Sequence, residues 1–306
     1  MPVILLLFLC ALAVLTPALS AQGNRERTLF VSAVDENGEP VLGLGPEAFI
    51  VREDNQRREI LRVSRAIDPI DIAVLVDNSA AASDEVTFIR EGVTAFISAM
   101  LGPAGAAAKE DAAAAATVRI AILALADRPT VFVEYTDDRK RLAEGVGRIF
   151  SMSSTGATLL DGIAETSRGL RSRETPRAVI LPIVTDGVEF TNRYSKDVVS
   201  ELLTARAALH MVTIGRFLHE EEHAIRERSF LLDEGPRRSG GQRISLLAPH
   251  GLTPALERLA RELSSQYKVV YGRPDSPFTP DDFEIRSARD GITMRAAPAR
   301  GETGAR

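Results

Sequence analysis

The segment Ile70–Val76 constrains the fold most, because it is apolar at nearly every position. A strand with one face toward water alternates apolar and polar residues, whereas a strand of a parallel sheet is covered on both faces and lacks that alternation. Three later segments have the same character: Val118–Leu125, Ala178–Val184 and Ala208–Ile214. We therefore expect a sheet of buried, mainly parallel strands.

Helical patterns separate these strands. They cover Asp84–Leu101, Arg139–Phe150, Thr158–Arg171 and Ser195–Ala207, while Thr130–Tyr135 is typical of a strand that forms a hairpin with its predecessor. Strands that alternate with helices build parallel sheets with helices on both faces. The predicted fold class is therefore α/β, with a doubly wound, mainly parallel, Rossmann-like sheet.

The two ends of the chain have a different pattern. Residues 27–66 and 266–298 contain short strand-like segments, which predicts a small β module built from both ends around an α/β domain at 69–265. Inside that domain Phe217–Arg237 is strongly charged, which predicts a solvated helix and loop. Leu252–Glu262 repeats apolar residues at helical spacing.

The first residues of the chain predict export. Residues 1–20 carry no charge, and their apolar run ends before small residues at Ala18 and Ser20. That run, Ile4–Leu15, is shorter than the roughly 20 residues that span a bilayer. We expect a signal peptide and a periplasmic or extracellular protein. An uncleaved anchor remains an alternative, because no Lys or Arg precedes the run.

Composition narrows the function classes. The only cysteine, Cys10, lies in the predicted signal peptide, so the mature chain would have no thiol chemistry and no disulfide. The 37 basic and 42 acidic residues give a formal net charge of −5, with no basic face. We therefore expect no nucleic-acid partner, and no membrane span after signal removal.

Three segments with oxygen-bearing side chains stand where a predicted strand ends or a predicted helix begins. Asp77-Asn78-Ser79 follows the first buried strand, Thr155-Gly156-Ala157-Thr158 opens a helix, and Thr185-Asp186-Gly187 follows the third buried strand. The carboxyl ends of parallel strands meet at one edge of a sheet. Carboxylate and hydroxyl oxygens are ligands that Mg²⁺, Mn²⁺ and Ca²⁺ prefer. The sequence thus predicts a divalent-cation site there.

These residues resemble the metal-ion-dependent adhesion site of von Willebrand factor type A domains. In that family an Asp-x-Ser-x-Ser loop, a threonine from a Gly-rich turn and an aspartate before a glycine surround one ion. The resemblance implies that Asp77, Ser79, Thr158 and Asp186 hold a divalent cation. It departs at Ala81, which replaces the second serine and cannot ligate, so we expect a weakened site in which water fills the missing position.

Further segments follow the order found in a bacterial family related to these domains. They are Val34–Leu44, Phe49–Asp54, Thr136–Arg139, Gly156–Ile163, Val184–Gly187 and Leu263–Tyr267. The resemblance implies a non-catalytic binding module, in which the ion accepts an acidic side chain of a protein partner. The loops around Asn78, Thr155 and Val188 would then supply specificity.

Other interpretations remain open from sequence alone. Asp77 and Ser79 could cap the following helix, with the domain acting as a metal-free structural or scaffold subunit. A metal-dependent hydrolase would need a general base beside the ion, and the sequence does not identify one. His219 and His223 are four residues apart but lack the His-Glu-x-x-His order of zinc proteases. We predict that the protein is not an enzyme.

Overall fold

The computed structural model describes residues 24–102, 116–152, 156–215, 223–274 and 283–299. The predicted signal peptide, Thr155 and His219 lie outside these ranges. The described strands are β1 (Asn24–Val34), β2 (Phe49–Glu53), β3 (Gln56–Arg58), β4 (Ile60–Arg65), β5 (Ile70–Val76), β6 (Val118–Ala124), β7 (Thr130–Thr136), β8 (Arg177–Val184), β9 (Ala207–Ile214), β10 (Gln242–Leu246), β11 (Tyr267–Pro274), β12 (Phe283–Ser287) and β13 (Thr293–Pro298). The described α-helices are α1 (Val86–Leu101), α2 (Arg139–Gly147), α3 (Leu159–Arg171), α4 (Ser195–Ala205), α5 (His223–Ser239) and α6 (Leu252–Ser264).

A six-stranded sheet forms the centre, in the order β10-β9-β8-β5-β6-β7. Its strands run parallel except β7, which pairs antiparallel with β6. Every residue of β5, β8 and β9 is buried, as the unbroken apolar runs predict for strands covered on both faces.

Helices cover both faces of this sheet and complete its core. Helices α1, α2 and α6 pack on one face, where Phe96 and Leu256 are among the buried side chains. Helices α3, α4 and α5 pack on the other, with Leu160 and Leu202 buried there. The predicted doubly wound, Rossmann-like α/β class is therefore confirmed. No helix in the described ranges is both long enough and apolar enough to cross a membrane.

Two of the helix predictions need correction. Helix α2 ends at Gly147 rather than at Phe150, and the residues after it form a loop at the carboxyl edge of the sheet. The described part of the charged segment Phe217–Arg237, from residue 223 onward, is not purely solvated, because α5 buries Leu231, Leu232 and Arg228. The sequence alone does not distinguish the buried Arg228 from the exposed charged residues around it.

Two smaller sheets are built from the ends of the chain. Strand β1 pairs with β11 and β13, and β4 joins at the far side of β11, giving the order β13-β1-β11-β4. A three-stranded sheet has the order β12-β2-β3. Arg177, at the amino end of β8, donates to the carbonyl of Leu263 and to Gln266 Oε1 beside β11. These strands therefore meet the central sheet near its amino edge, away from the carboxyl edge.

Candidate metal centre

Asp77 connects the ends of two neighbouring strands. Its carboxylate is fully buried just after β5. Oδ1 accepts a hydrogen bond from the amide of Ser79 at 3.0 Å. Oδ2 accepts bonds from the hydroxyl and the amide of Thr185, just after β8, at 2.6 and 3.1 Å. Asp77 thereby holds the Ser79 loop and the Thr185-Asp186-Gly187 loop together.

Asp77 forms no ion pair among the described residues, although it is one of the acids whose charge opposes the lowering of the Arg228 pKa by burial. The buried aspartate of β5 is different. Asp71, near the opposite end of the strand, contacts the guanidinium groups of Arg119 and Arg173 at 2.7 Å each and accepts from Thr175 Oγ1 at 2.6 Å. Those hydrogen bonds outweigh burial and lower the pKa of Asp71. A buried carboxylate is costly unless it is paired or coordinates a metal, so Asp77 is the one whose pairing is incomplete.

Ser79 carries the second feature of a cation site. The residue is fully buried, and its Oγ has no hydrogen-bond partner in the described structure. Ser79 stands at the amino end of the short 3₁₀ turn Ala80–Ala82 but forms no side-chain cap there. The alternative capping role is therefore not observed for Ser79. A buried hydroxyl without a partner requires an explanation.

Ala81 and Gly187 pack closely beside Ser79. A Cβ added to Gly187 would lie 2.6 Å from the methyl carbon of Ala81 and 3.5 Å from Ser79 Oγ. The loop after β8 can thus approach Ser79 only because residue 187 is a glycine. The position that the resemblance assigns to a second serine is occupied by an apolar methyl group.

Thr158 lies on the β6 side of the Asp77 loop. The residue is buried, and both its amide and its hydroxyl donate to the carbonyl of Leu125, at 2.7 and 2.8 Å. Because the hydroxyl hydrogen is used in this bond, the lone pairs of Oγ1 remain available to a cation or to a donor.

Asp186 lies on the other side of the loop, toward β9, and is exposed. A Cβ on Gly215, whose φ is +98°, would be 2.9 Å from Asp186 Oδ2. Asp77 and Ser79 are thus joined directly, while Thr158 and Asp186 flank them without a described contact to either.

Three charged residues that were not predicted surround this edge. Burial raises the pKa of Glu85, and the negative charges of Asp84, Asp186 and Asp77 raise it further; Glu85 Oε2 is buried without a hydrogen-bond partner among the described residues. Arg228 donates to the carbonyls of Thr185 and Gly187, on either side of Asp186.

Glu189 is the third of these residues. Its carboxylate accepts from the amides of Leu159 and Leu160, directly after Thr158, at 3.3 and 3.1 Å. Burial raises the pKa of Glu189 to about 7, against the opposing effects of Arg228 and the two amides. Arg228 and Glu189 together support the loops that carry Asp186 and Thr158. Asp161, in the first turn of α3, pairs with Arg193 at 2.5 Å.

The donor set at this edge consists mainly of hydroxyls and two carboxylates. Within the described ranges, no group of three or more His, Cys, Asp or Glu side chains could hold a metal ion. A cation here would therefore depend on Ser79 and Thr158 and on water, in addition to Asp77 and Asp186. Such a hard oxygen set suits Mg²⁺, Mn²⁺ or Ca²⁺.

No protein-family model and no curated protein matches the chain. Solved structures do match. Proximal thread matrix protein 1 from the mussel byssus, with a zinc-occupied MIDAS motif, has 13% identity and a TM-score of 0.50 over 69% of this chain and 49% of its own. A von Willebrand factor type A structure from Catenulispora acidiphila has 10% identity and a TM-score of 0.49, covering 91% and 74%. The vWF domain of the pilus tip protein Mfa5 from Porphyromonas gingivalis has 12% identity and a TM-score of 0.45, covering 64% and 95%.

The match to the mussel protein spans about half the length of that protein. At this low sequence identity the match is informative about the fold alone. It agrees with the six-stranded, mostly parallel sheet between two layers of helices. The central part of this chain therefore has the von Willebrand factor type A fold.

Proposed function

We propose that this chain is an exported, non-catalytic binding module that recognises a protein partner through a divalent cation held by Asp77, Ser79, Thr158 and Asp186. The proposal rests on two adjacent buried side chains that each lack an expected interaction. Asp77 is a buried carboxylate with no ion pair in the described structure, and the adjacent Ser79 Oγ is a buried hydroxyl with no partner.

The residues have separate roles in this proposal. Asp77 orients the loop through its bonds to Ser79 and Thr185, and contributes negative charge. Ser79 and Thr158 offer hydroxyl oxygens, and Asp186 offers an exposed carboxylate. A bound cation would supply an open coordination position that accepts a carboxylate oxygen from the partner. Mg²⁺ is the expected ion, with Mn²⁺ or Ca²⁺ as alternatives.

A second candidate function has its own supporting observation. The methyl group of Ala81 packs against Gly187 where the resemblance places a ligating serine. This favours a metal-free structural or scaffold subunit that retains the fold. The substitution Ala81→Ser separates the two functions: cation affinity that rises from nothing supports the scaffold, whereas a modest increase supports a site that already binds.

Calorimetric titration with MgCl₂ and MnCl₂ tests the cation site in the full chain. We expect saturable one-site binding in the micromolar to millimolar range, lost in Asp186→Ala. Asp290→Ala, which removes an exposed acid from the turn after β12, is the matched control and should bind as the natural chain does. Absence of a signal at millimolar cation would contradict the proposal.

Two further measurements test the remaining parts of this proposal. A pull-down from envelope extracts, with and without chelator, should recover a protein partner only when the cation is present. Activity against a hydrolase panel that disappears in Asp186→Ala would overturn the non-catalytic assignment. Recovery of the protein in the cytoplasmic fraction would overturn export.

A further inference from the structure

Large apolar side chains are exposed next to the candidate metal centre. Four of them form what we call the apolar rim: Phe150, Met152, Val188 and Phe190, exposed by 56%, 43%, 53% and 50%. Single exposed apolar residues are ordinary on protein surfaces, but a group around a polar centre marks an interaction site.

The first half of the rim is fixed by hydrogen bonds to the metal-centre loop. The amide of Met152 donates to the carbonyl of Asn78 at 2.9 Å, and Ser151 Oγ donates to the carbonyl of Ser79 at 3.1 Å. Arg90 Nε donates to the carbonyl of Ile149 from α1. Phe150 and Met152 are therefore held outward by an ordered backbone.

In the second half of the rim, Val188 to Phe190, the apolar side chains face solvent and the charged side chain is buried. Val188 and Phe190 are exposed, while Glu189 between them is only 2% exposed. The backbone of this stretch is fixed, because Ala157 donates to the carbonyl of Val188 at 2.9 Å and its carbonyl accepts from Phe190 at 2.8 Å. Shifting the stretch by one residue would bury the apolar side chains but remove Glu189 from the amides at the start of α3.

The rim is also shaped for contact. The ring of Phe190 lies over Gly156, where an added Cβ would come within 2.3 Å of Phe190 Cδ2. One part of the ring thus packs on backbone while the rest faces solvent. Val188 directly follows Gly187, the residue packed against Ser79 and Ala81. Apolar surface and metal centre are therefore continuous.

We propose that the partner presents a single carboxylate flanked by large apolar side chains, with the carboxylate directed to the cation and the flanks covering the rim. This inference rests on the proposed cation site. Charge complementarity fixes the centre of the partner segment, because a bound cation favours an anionic oxygen. The uncharged rim fixes its neighbours, because a strongly acidic segment would leave its other charges against apolar surface.

Selection from a peptide library tests this proposal. The library has one fixed aspartate and randomised neighbours, and it is selected on the immobilised full chain in MnCl₂. We expect Leu, Ile, Met or Phe to be enriched beside the aspartate, and chelator to release the selected peptides. Enrichment of charged residues or glycine, or no enrichment at all, would overturn the inference.

Variants of the rim distinguish a failure of this inference from a failure of the proposed cation site. Phe150→Ser and Phe190→Ser should each weaken the selected peptide at least about tenfold, while Mn²⁺ affinity stays unchanged. Leu42→Ser, at a residue 70% exposed that follows β1, is the matched control and should have no effect. If the natural chain does not bind Mn²⁺, the proposed function itself is wrong. Intact Mn²⁺ binding with peptide affinity unchanged in the rim variants would defeat only the rim.

Discussion

Asp71 and Asp77 are fully buried carboxylates at opposite ends of one strand, yet only Asp71 has ion-pair partners in the described structure. Asp71 is neutralised by two guanidinium groups, whereas Asp77 accepts bonds only from uncharged donors on Ser79 and Thr185. The negative charge of Asp71 is therefore balanced within the chain. The carboxyl edge retains a buried anionic group suited to an external cation.

The Thr185 hydroxyl should contribute to stability through Asp77. Thr185→Val keeps the shape of the side chain but removes the donor at 2.6 Å from Asp77 Oδ2. We expect a loss of about 1–3 kcal/mol, because a buried carboxylate then lacks a hydrogen bond. Urea denaturation measures this change. Thr87→Val, at an exposed position in α1, is the control, and an equal effect in both variants would contradict the role given to Thr185.

Arg228 should support the loop that carries Asp186. Arg228→Met removes the donors to the carbonyls of Thr185 and Gly187 and leaves Glu189 without its nearby positive charge. We expect destabilisation of roughly 3 kcal/mol in chemical denaturation, because two backbone carbonyls each lose a charged hydrogen-bond donor. Arg226→Met, on the exposed part of α5, should change stability by less than about 0.5 kcal/mol. Similar values for the two variants would show that Arg228 is not a support.

Glu189 should make the folded state less stable as the pH rises. Its pKa is about 7 in the folded chain, against an ordinary value of 4.5. Between these values the folded chain binds more protons than the unfolded chain, so stability falls as pH increases through that window. Relative to Glu189→Gln, the natural chain should lose roughly 3 kcal/mol from pH 4.5 to 7. Parallel pH profiles of the two proteins would refute this assignment.

His210 should act in the opposite direction. It is fully buried in β9, both ring nitrogens lack a partner in the described structure, and burial lowers its pKa to about 4 despite the nearby carboxylate of Glu262; Arg295 lowers it further. The unfolded chain then binds more protons between pH 4 and 6.5, so stability falls as pH decreases through that window.

Substitution isolates the effect of His210. Relative to the natural chain, His210→Leu should gain roughly 3 kcal/mol on going from pH 6.5 to pH 4, measured by denaturation at each pH. His250→Leu, at an exposed turn residue, is the control. A difference that does not change with pH would contradict the prediction.

The sequence was most informative where burial determines the residue type. The apolar run of β5 matches its strand boundaries, because a strand covered on both faces admits few polar residues. The strand–helix order then located Asp77, Ser79, Thr158 and Asp186 at one edge of the sheet. Their action as cation ligands stays a prediction.

What the sequence did not reveal depends on contacts between distant segments. The apolar residues after Gly147 continue the helical pattern of α2, yet Phe150 lies in a loop bonded to Asn78, distant in sequence. Arg228 and Glu189 resemble ordinary surface charges in sequence, since the carbonyls and amides they bind become neighbours only after folding. At Val188–Phe190 the sequence shows an acid between two apolar residues, but only the structure shows that the acid is buried and its neighbours are exposed.

Ser79→Ala is the sharpest test of the cation site, because Ser79 Oγ has no hydrogen bond to lose in the described structure. Chemical denaturation in chelator and calorimetric titration with MnCl₂ are compared for the natural chain and the variant. We expect the variant to have equal or slightly higher stability without cation, together with Mn²⁺ affinity at least about tenfold weaker. Unchanged Mn²⁺ affinity in Ser79→Ala, or no Mn²⁺ binding by the natural chain, would contradict it.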